Sequence, residues 1–327
     1  MIDPFARDIH YLRVSVTDRC NLRCVYCMPE QGIPLVDHEE VLRFEEFEHL
    51  IRIAAAEGIR RVRVTGGEPL VRKGIVDFVA RIKAIPGIED VALTTNGILL
   101  PQFARDLKAA GLNRVNISLD TMRPERFQAI SRNGQVKDVW AGIRTALDEG
   151  LHPVKLNVVV MGGVNDDEIA DFARLTEGLP IHVRFIELMP IGEGDSRFRG
   201  HFYSVEQMEE TLASSGLILA GQKIVTGGGP ARYTSLPDAS GTVGFISAIS
   251  KHFCLLCNRL RLTAEGKLRP CLHSNREIDI RGPLRKGVSD NLLGQIFREA
   301  IVSKPQQHSM QEEGWGEQTR MMSQIGG

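Results

Sequence analysis

Short β-rich runs recur along the first two-thirds of the chain, with helical patterns between them. The runs at residues 11–17, 61–66, 90–96, 114–120, 153–160 and 182–189 predict strands, and the stretches at 45–57, 75–84, 102–110, 136–149 and 168–176 predict helices. Gly58, Gly111 and Gly150 fall where helix ends favour a residue tolerant of left-handed geometry. Six strands alternating with helices argue for an α/β fold with a parallel sheet, either left flat or curled into an incomplete (βα)6 TIM-like barrel, and the barrel is the fold expected here. After about Leu219 this alternation stops. Gly227-Gly228-Gly229-Pro230 punctuates the chain, and short runs at 242–249 and 260–263 follow. The expected division is a barrel domain over 1–219 and a smaller C-terminal α+β region over 220–327. From roughly Ser303 the chain is polar, rich in Gln and Met, and ends in Gly326-Gly327, which reads as a frayed terminus.

Within the strands, polar residues recur at period two: Arg13 and Ser15, Arg63 and Thr65, Thr94 and Asn96, Asn116 and Ser118, Lys155 and Asn157, then Arg184. Side chains at that spacing share one face. The opposite face carries Val14, Val62, Val64, Val115, Ile117, Leu156 and Val158, which suits a cover of helices. The polar face then points into the barrel, where packing alone would favour Val, Ile and Leu. Burying Arg13, Arg63, Lys155 and Arg184 without anionic partners is costly. A wet cavity for an anionic ligand resolves the conflict; a sheet with one solvent-exposed face is the plainer alternative.

Composition narrows the class. The chain has 327 residues, 43% hydrophobic and 25% charged, with a net charge of −1, so no charge imbalance calls for a nucleic-acid or membrane partner. No stretch reaches the roughly 20 apolar residues of a membrane span. The N-terminal residues lack the apolar core of a secretory signal, and a cytoplasmic location is expected. The six cysteines fall in two sets, Cys20, Cys24 and Cys27 near the start and Cys254, Cys257 and Cys271 near the end, with none between. That distribution suits two metal sites better than a disulfide framework.

Cys20-x3-Cys24-x2-Cys27 follows the first predicted strand, at the strand end where barrels place chemistry. Three thiolates on one loop can hold three irons of a cubane and leave the fourth with open positions, whereas electron-carrying clusters use four cysteines and structural zinc completes a tetrahedron. The spacing, with Tyr26 before the last cysteine, resembles the signature of the radical S-adenosylmethionine (SAM) superfamily. Thr65-Gly66-Gly67-Glu68-Pro69 after the second strand resembles that superfamily's glycine-rich segment, where small residues let backbone approach the amino acid moiety of SAM. The second set, Cys254-x2-Cys257-x13-Cys271, has His252 and His273 nearby, so spacing alone leaves a mixed-ligand zinc site open. Between its cysteines, Arg259 and Arg261 stand two apart on an extended segment and can clamp phosphate together.

The stretches 10–29, 63–72, 93–97, 116–120, 184–190 and 253–262 and the final Gly-Gly are together similar to the GTP 3′,8-cyclase family, which opens molybdenum cofactor biosynthesis. That resemblance implies two 4Fe–4S clusters, held by Cys20, Cys24, Cys27 and by Cys254, Cys257, Cys271, with SAM as cofactor. It implies SAM contacts at Tyr26, Gly67, Ser118 and Met189, and GTP contacts at Arg13, Arg63, Thr94, Lys155, Arg259, Leu260 and Arg261. Arg184, Gly326 and Gly327 are implied in catalysis. Reductive cleavage of SAM would give a 5′-deoxyadenosyl radical that takes hydrogen from C3′ of GTP, and the carbon radical would close onto C8 of the guanine. An external electron donor, a homodimer and handover of the product to cyclic pyranopterin monophosphate synthase belong to the same expectation. Two rival readings are a radical SAM enzyme acting on another substrate such as a peptide, and a non-catalytic iron–sulfur or zinc protein.

Overall fold

The structure is a computed structural model and describes residues 1–191, 199–308 and 320–326. Its first half repeats strand and helix: β1 (Tyr11–Ser15), α1 (Phe44–Ala56), β2 (Arg61–Thr65), α2 (Ile75–Lys83), β3 (Asp90–Thr95), α3 (Leu100–Ala109), β4 (Arg114–Ser118), α4 (Pro124–Ser131), α5 (Val136–Asp148), β5 (Val154–Val160), α6 (Ile169–Gly178) and β6 (Ile181–Glu187). The remainder holds α7 (Val205–Ser214), β7 (Ala220–Lys223), β8 (Arg232–Ser235), β9 (Thr242–Ile246), β10 (Arg259–Leu262), β11 (Lys267–Arg269), β12 (Ile278–Asp279), α8 (Arg281–Arg285), α9 (Asp290–Val302) and α10 (Met322–Ile325).

All these strands join one sheet in the order β12-β11-β10-β1-β2-β3-β4-β5-β6-β9-β8-β7. The six predicted strands run parallel as β1 to β6. The C-terminal region extends them at both edges: β10 pairs parallel with β1, and β9 pairs parallel with β6. Each edge then ends in antiparallel strands, β11–β12 on one side and β8–β7 on the other. The sheet thus stays open, as expected of an incomplete barrel, but its parallel part is wider than the six strands predicted.

The core lies between the helices and the outward face of the strands. Val14, Val62, Val64, Val115, Ile117 and Leu156 are fully buried there, together with Phe47, Leu50 and Ile51 of α1 and Phe78 and Val79 of α2. Phe44 stacks on Phe78 with ring centroids 4.5 Å apart. Burying one such side chain contributes about 1.5–3 kcal/mol. The polar face is enclosed as well: Arg13, Arg63, Lys155 and Arg184 are all at most 8% exposed, so the sheet has no solvent-washed face at these positions.

Five helices were missing from the sequence reading: α4, α7, α8, α9 and α10. α4 is short and weakly amphipathic, with Pro124 in its first turn. α7 is announced by a capping box: the Ser204 hydroxyl accepts from Gln207 N, and the Gln207 side chain accepts from Ser204 N. The frayed terminus is corrected for residues 320–326. Arg320 bonds to Glu265 and Glu277, and Ser323 and Ile325 are buried. Among the described residues no helix is long and apolar enough to cross a membrane.

Candidate active site

Cys20, Cys24 and Cys27 sit on the loop that leaves the C-terminal end of β1. The loop turns on itself through Cys27 N and Met28 N, both donating to the Cys24 carbonyl. The end of α4 pins it from outside. Arg23 N donates to Ser131 O, Val25 N donates to Ile130 O, and Arg132 Nη1 donates to the carbonyls of Arg23 and Met28 at 3.0 Å. Arg132 is itself left-handed, with φ +60°. Burial pushes the thiols up, Cys20 to about 11 and Cys27 to about 12, with the neighbouring thiols adding to the shift of Cys27 and Cys24. Three partly buried thiols so disposed resist ionising alone and favour a cationic centre between them.

Tyr26 points away from solvent and donates from its hydroxyl to Asp120 Oδ2 at 2.7 Å, while Val159 N donates to Asp120 Oδ1. Burial raises Asp120 to about 6 despite those donors. The glycine pair after β2 meets the cysteine loop from the other side. A Cβ on Gly67 would lie 2.3 Å from the Arg19 carbonyl oxygen, and one on Gly66 would lie 2.5 Å from that of Thr17. Backbone contact of this closeness admits only glycine. Glu68, fully buried, then accepts from Thr95 Oγ1, Asn96 N and Leu70 N, tying the glycine segment to the end of β3. Burial lifts its carboxyl to about 7. Ser118 closes β4 beside Asn157 of β5.

The second triplet occupies the opposite end of the barrel. Because β10 runs parallel to β1 with Arg259 beside Tyr11, Cys254 and Cys257 lie before the strand starts, and antiparallel β11 brings Cys271 back to the same end. Three cations missed by sequence reading build this end. Lys304 Nζ donates to the carbonyls of Arg259 and Pro270, Arg7 Nη1 donates to the Cys254 carbonyl, and fully buried Arg269 donates to Glu277 and Ser274 O. Nothing local marks Arg7 and Lys304 for this role, since the carbonyls they meet here come from distant segments, whereas Arg269 meets Ser274 and Glu277 a few residues on. Met189, expected beside SAM, lines the pocket of this second triplet together with His252, His273 and His308. Burial pushes the Cys257 thiol up, but Arg259 and Lys304 outweigh it and hold the group at about 6.

Between the two ends stand the inward cations. Arg261, Arg13 and Arg63 are in register on β10, β1 and β2. Burial depresses all three and nearby guanidinium groups add to it: Arg261 and Arg63 act on Arg13, Arg184 and Arg114 help take Arg63 to about 10, and Arg259 helps take Arg261 to about 9. Lys155 is held at about 6 by burial and by Arg184, Arg114 and Arg63. Arg184 Nη2 donates to Asn116 Oδ1 at 2.8 Å. Nε of Arg63, Nε of Arg184, Thr94 Oγ1 and Asn157 Oδ1 are buried without a hydrogen-bond partner. Such atoms mark a polar interior built for a guest. Leu260 lies in the apolar core on the opposite face of β10, so its side chain does not reach this interior. Gly326 enters it: its carbonyl accepts from Arg13 and Arg261. Gly327 lies outside the described residues.

The donor sets fit clusters. All six cysteines are free. Among the described residues, the group whose ligand atoms lie within 4.8 Å of one another, close enough for one ion, is His252, Cys254 and His308; neither cysteine triplet is that compact. Thiols spread wider than one ion's shell suit a cubane, with one thiolate per iron.

Comparison with known proteins agrees. Residues 14–176 match the Radical SAM superfamily, and residues 181–310 match Molybdenum Cofactor Synthesis C. GTP 3′,8-cyclases of Heliobacterium modesticaldum and Desulforamulus reducens are 74% and 55% identical, each aligned over 100% of both chains. The crystal structure of Streptococcus suis SuiB bound to S-adenosylmethionine superposes with a TM-score of 0.61 at 13% identity, covering 88% of this chain and 68% of that one, which speaks for the fold alone. The chain belongs to the GTP 3′,8-cyclase family of the radical SAM superfamily.

Proposed function

We propose that this chain carries out the reaction for which its family is named, converting GTP and SAM to (8S)-3′,8-cyclo-7,8-dihydroguanosine 5′-triphosphate, 5′-deoxyadenosine and methionine, the first step of molybdenum cofactor biosynthesis. Its cofactors are two 4Fe–4S clusters and SAM. When bound, the clusters supply the electron that cleaves SAM and an open iron position for a substrate atom. Cys20, Cys24 and Cys27 would hold the cluster that meets SAM, and Cys254, Cys257 and Cys271 the second.

The carrying observation is the inward cation set placed between the two triplets. Burial and the neighbouring guanidinium groups, Arg261 beside Arg13 and Arg184 beside Arg63 and Lys155, lower the affinity of Arg13, Arg63 and Lys155 for protons, and a triphosphate relieves that repulsion. Arg259 and Thr94 complete the assigned GTP contacts, with Leu260 contributing backbone only. Tyr26, Gly67 and Ser118 are assigned to SAM. Met189 keeps that assignment while bordering the second pocket. Arg184, Gly326 and Gly327 are assigned to catalysis. An interior closed to solvent protects a radical from quenching.

The working division is a barrel domain over 1–219 and a cluster-holding region over 220–327. The protein is assigned to the cytoplasm as a homodimer, reduced by an external donor and passing its product to cyclic pyranopterin monophosphate synthase. The test is an anaerobic assay of iron-reconstituted protein with SAM, GTP and a strong reductant. Both 5′-deoxyadenosine and a cyclised GTP product are expected; SAM cleavage with intact GTP would overturn the substrate and keep the radical site.

A further inference from the structure

The N-terminal mouth of the barrel is crossed by the segment between β7 and β8. Thr226 O accepts from Lys155 Nζ, and Gly227 O accepts from Arg114 Nη2 at 3.1 Å. Gly228 lies against Arg61 and Asn258, and Gly229 lies near Arg184. Four consecutive residues therefore reach side chains of β5, β4, β2 and β6 and the residue just before β10. Gly227 and Gly228 have the backbone conformation that favours glycine, with φ of +112° and +57°, and added Cβ atoms would stand 2.5 Å from Arg114 Nε and 2.2 Å from Arg61 Nη1. Thr226 and Gly227 also wall a polar basin of about 290 Å³ on the outer side, lined by Arg61, Arg114 and His152 with Glu89 and Asp90. Asp90 is engaged by Arg114 through both carboxylate oxygens.

Peptide carbonyl oxygens here hold places on Lys155 and Arg114 that phosphate oxygens would contest, because both are acceptors for the same cationic donors. We propose that Thr226-Gly227-Gly228-Gly229 is a gate, that it swings into the basin when the polyphosphate end of the substrate engages Lys155, and that the basin is the port through which a nucleoside triphosphate reaches the barrel. This rests on the triphosphate reading above. The ligand class follows from the cage, which recognises the polyphosphate rather than the base.

The experiment is amide hydrogen exchange of residues 224–230 in the full, cluster-loaded chain, with GTP, inorganic tripolyphosphate or guanosine, alongside equilibrium dialysis of GTP. GTP and tripolyphosphate are expected to speed exchange at Gly227 to Gly229 by about five-fold or more, on the scale of releasing a strained backbone, with guanosine inert. Gly227→Ala and, separately, Gly228→Ala are expected to show fast exchange before any ligand is added and to lose the ligand response. Absence of GTP binding would overturn the triphosphate reading itself. GTP binding with unchanged or slowed exchange at this segment would overturn the gate alone, as would a response to guanosine.

Discussion

The Arg13 guanidinium donates a 2.7 Å hydrogen bond to the carbonyl oxygen of Gly326, joining the first barrel strand to the far end of the chain. Arg261 donates to the same oxygen from β10. Two arginines that face the cationic interior thereby also hold the C-terminal segment, so the tail draws on the donors proposed for the substrate. Gly326 can take this place because it has φ +73° and no Cβ; an added one would lie 2.7 Å from Thr65 Cγ2 and 3.2 Å from Ser15 Cβ.

Gly326→Ala is therefore expected to push the tail out of the interior. The left-handed strain and the clash together correspond to a loss of about ten-fold or more in cyclised product. Iron content and SAM binding should stay at the wild-type level, measured by iron analysis and equilibrium dialysis. Unchanged turnover would remove the tail from the reaction.

The two cysteine sets should separate by function. Cys24→Ala is expected to abolish 5′-deoxyadenosine formation. Cys257→Ala should retain it while losing the cyclised product. Each is expected to lower bound iron by about half, since each site holds a cubane of its own. Loss of SAM cleavage in both variants would mean that the second site supports the first structurally.

Much of this arrangement was legible in the chain. The six strands, the inward polar face and both cysteine sets follow from periodicity and spacing, because a strand's two faces and a metal loop's ligands are local patterns. The pairing of β10 onto β1 was not legible. Its four residues carry no signal of which edge they join, yet that pairing is what sets Arg261 beside Arg13. Lys304 and Arg7 were missed for the same reason: each acts on backbone carbonyls from segments distant in sequence. The glycine pair was read as room for a ligand, and the structure adds a second cause, the approach of the Thr17 to Arg19 backbone.

Glu68 gives a pH signature. Burial raises its carboxyl from 4.5 to about 7, so between those values the native chain binds more protons than the unfolded one. Its contribution to stability therefore falls as pH rises through that window, by up to about 3 kcal/mol. Glu68→Gln removes the titration and is expected to flatten this part of the profile. It also loses an acceptor for Thr95 or Asn96, which costs about 1–3 kcal/mol at low pH. Urea melts of cluster-free wild type and variant at pH 5 and pH 7.5 measure both effects; a stability difference between the two proteins that does not change with pH would refute the assignment.

Lys155 provides the sharpest check on the substrate cage. Burial and three neighbouring arginines hold its ammonium at about 6, so at pH 8 the side chain is mostly neutral. A triphosphate beside it favours the charged form and raises that value. GTP binding at pH 8 should accordingly take up close to about one proton, and affinity should fall as pH rises above 6. At pH 8 the γ-phosphate is already fully ionised, so it does not supply the uptake. Calorimetry in Tris and in HEPES, whose ionisation enthalpies differ, reads the proton directly as a buffer-dependent enthalpy. Lys155→Met is expected to erase that dependence and to weaken GTP binding by about ten-fold or more, the scale of one lost charge-assisted hydrogen bond, with SAM binding intact. Buffer-independent enthalpy in the wild type would show that Lys155 keeps its charge before GTP arrives, and the mutual repulsion invoked for the cage would then be too weak to select a polyphosphate.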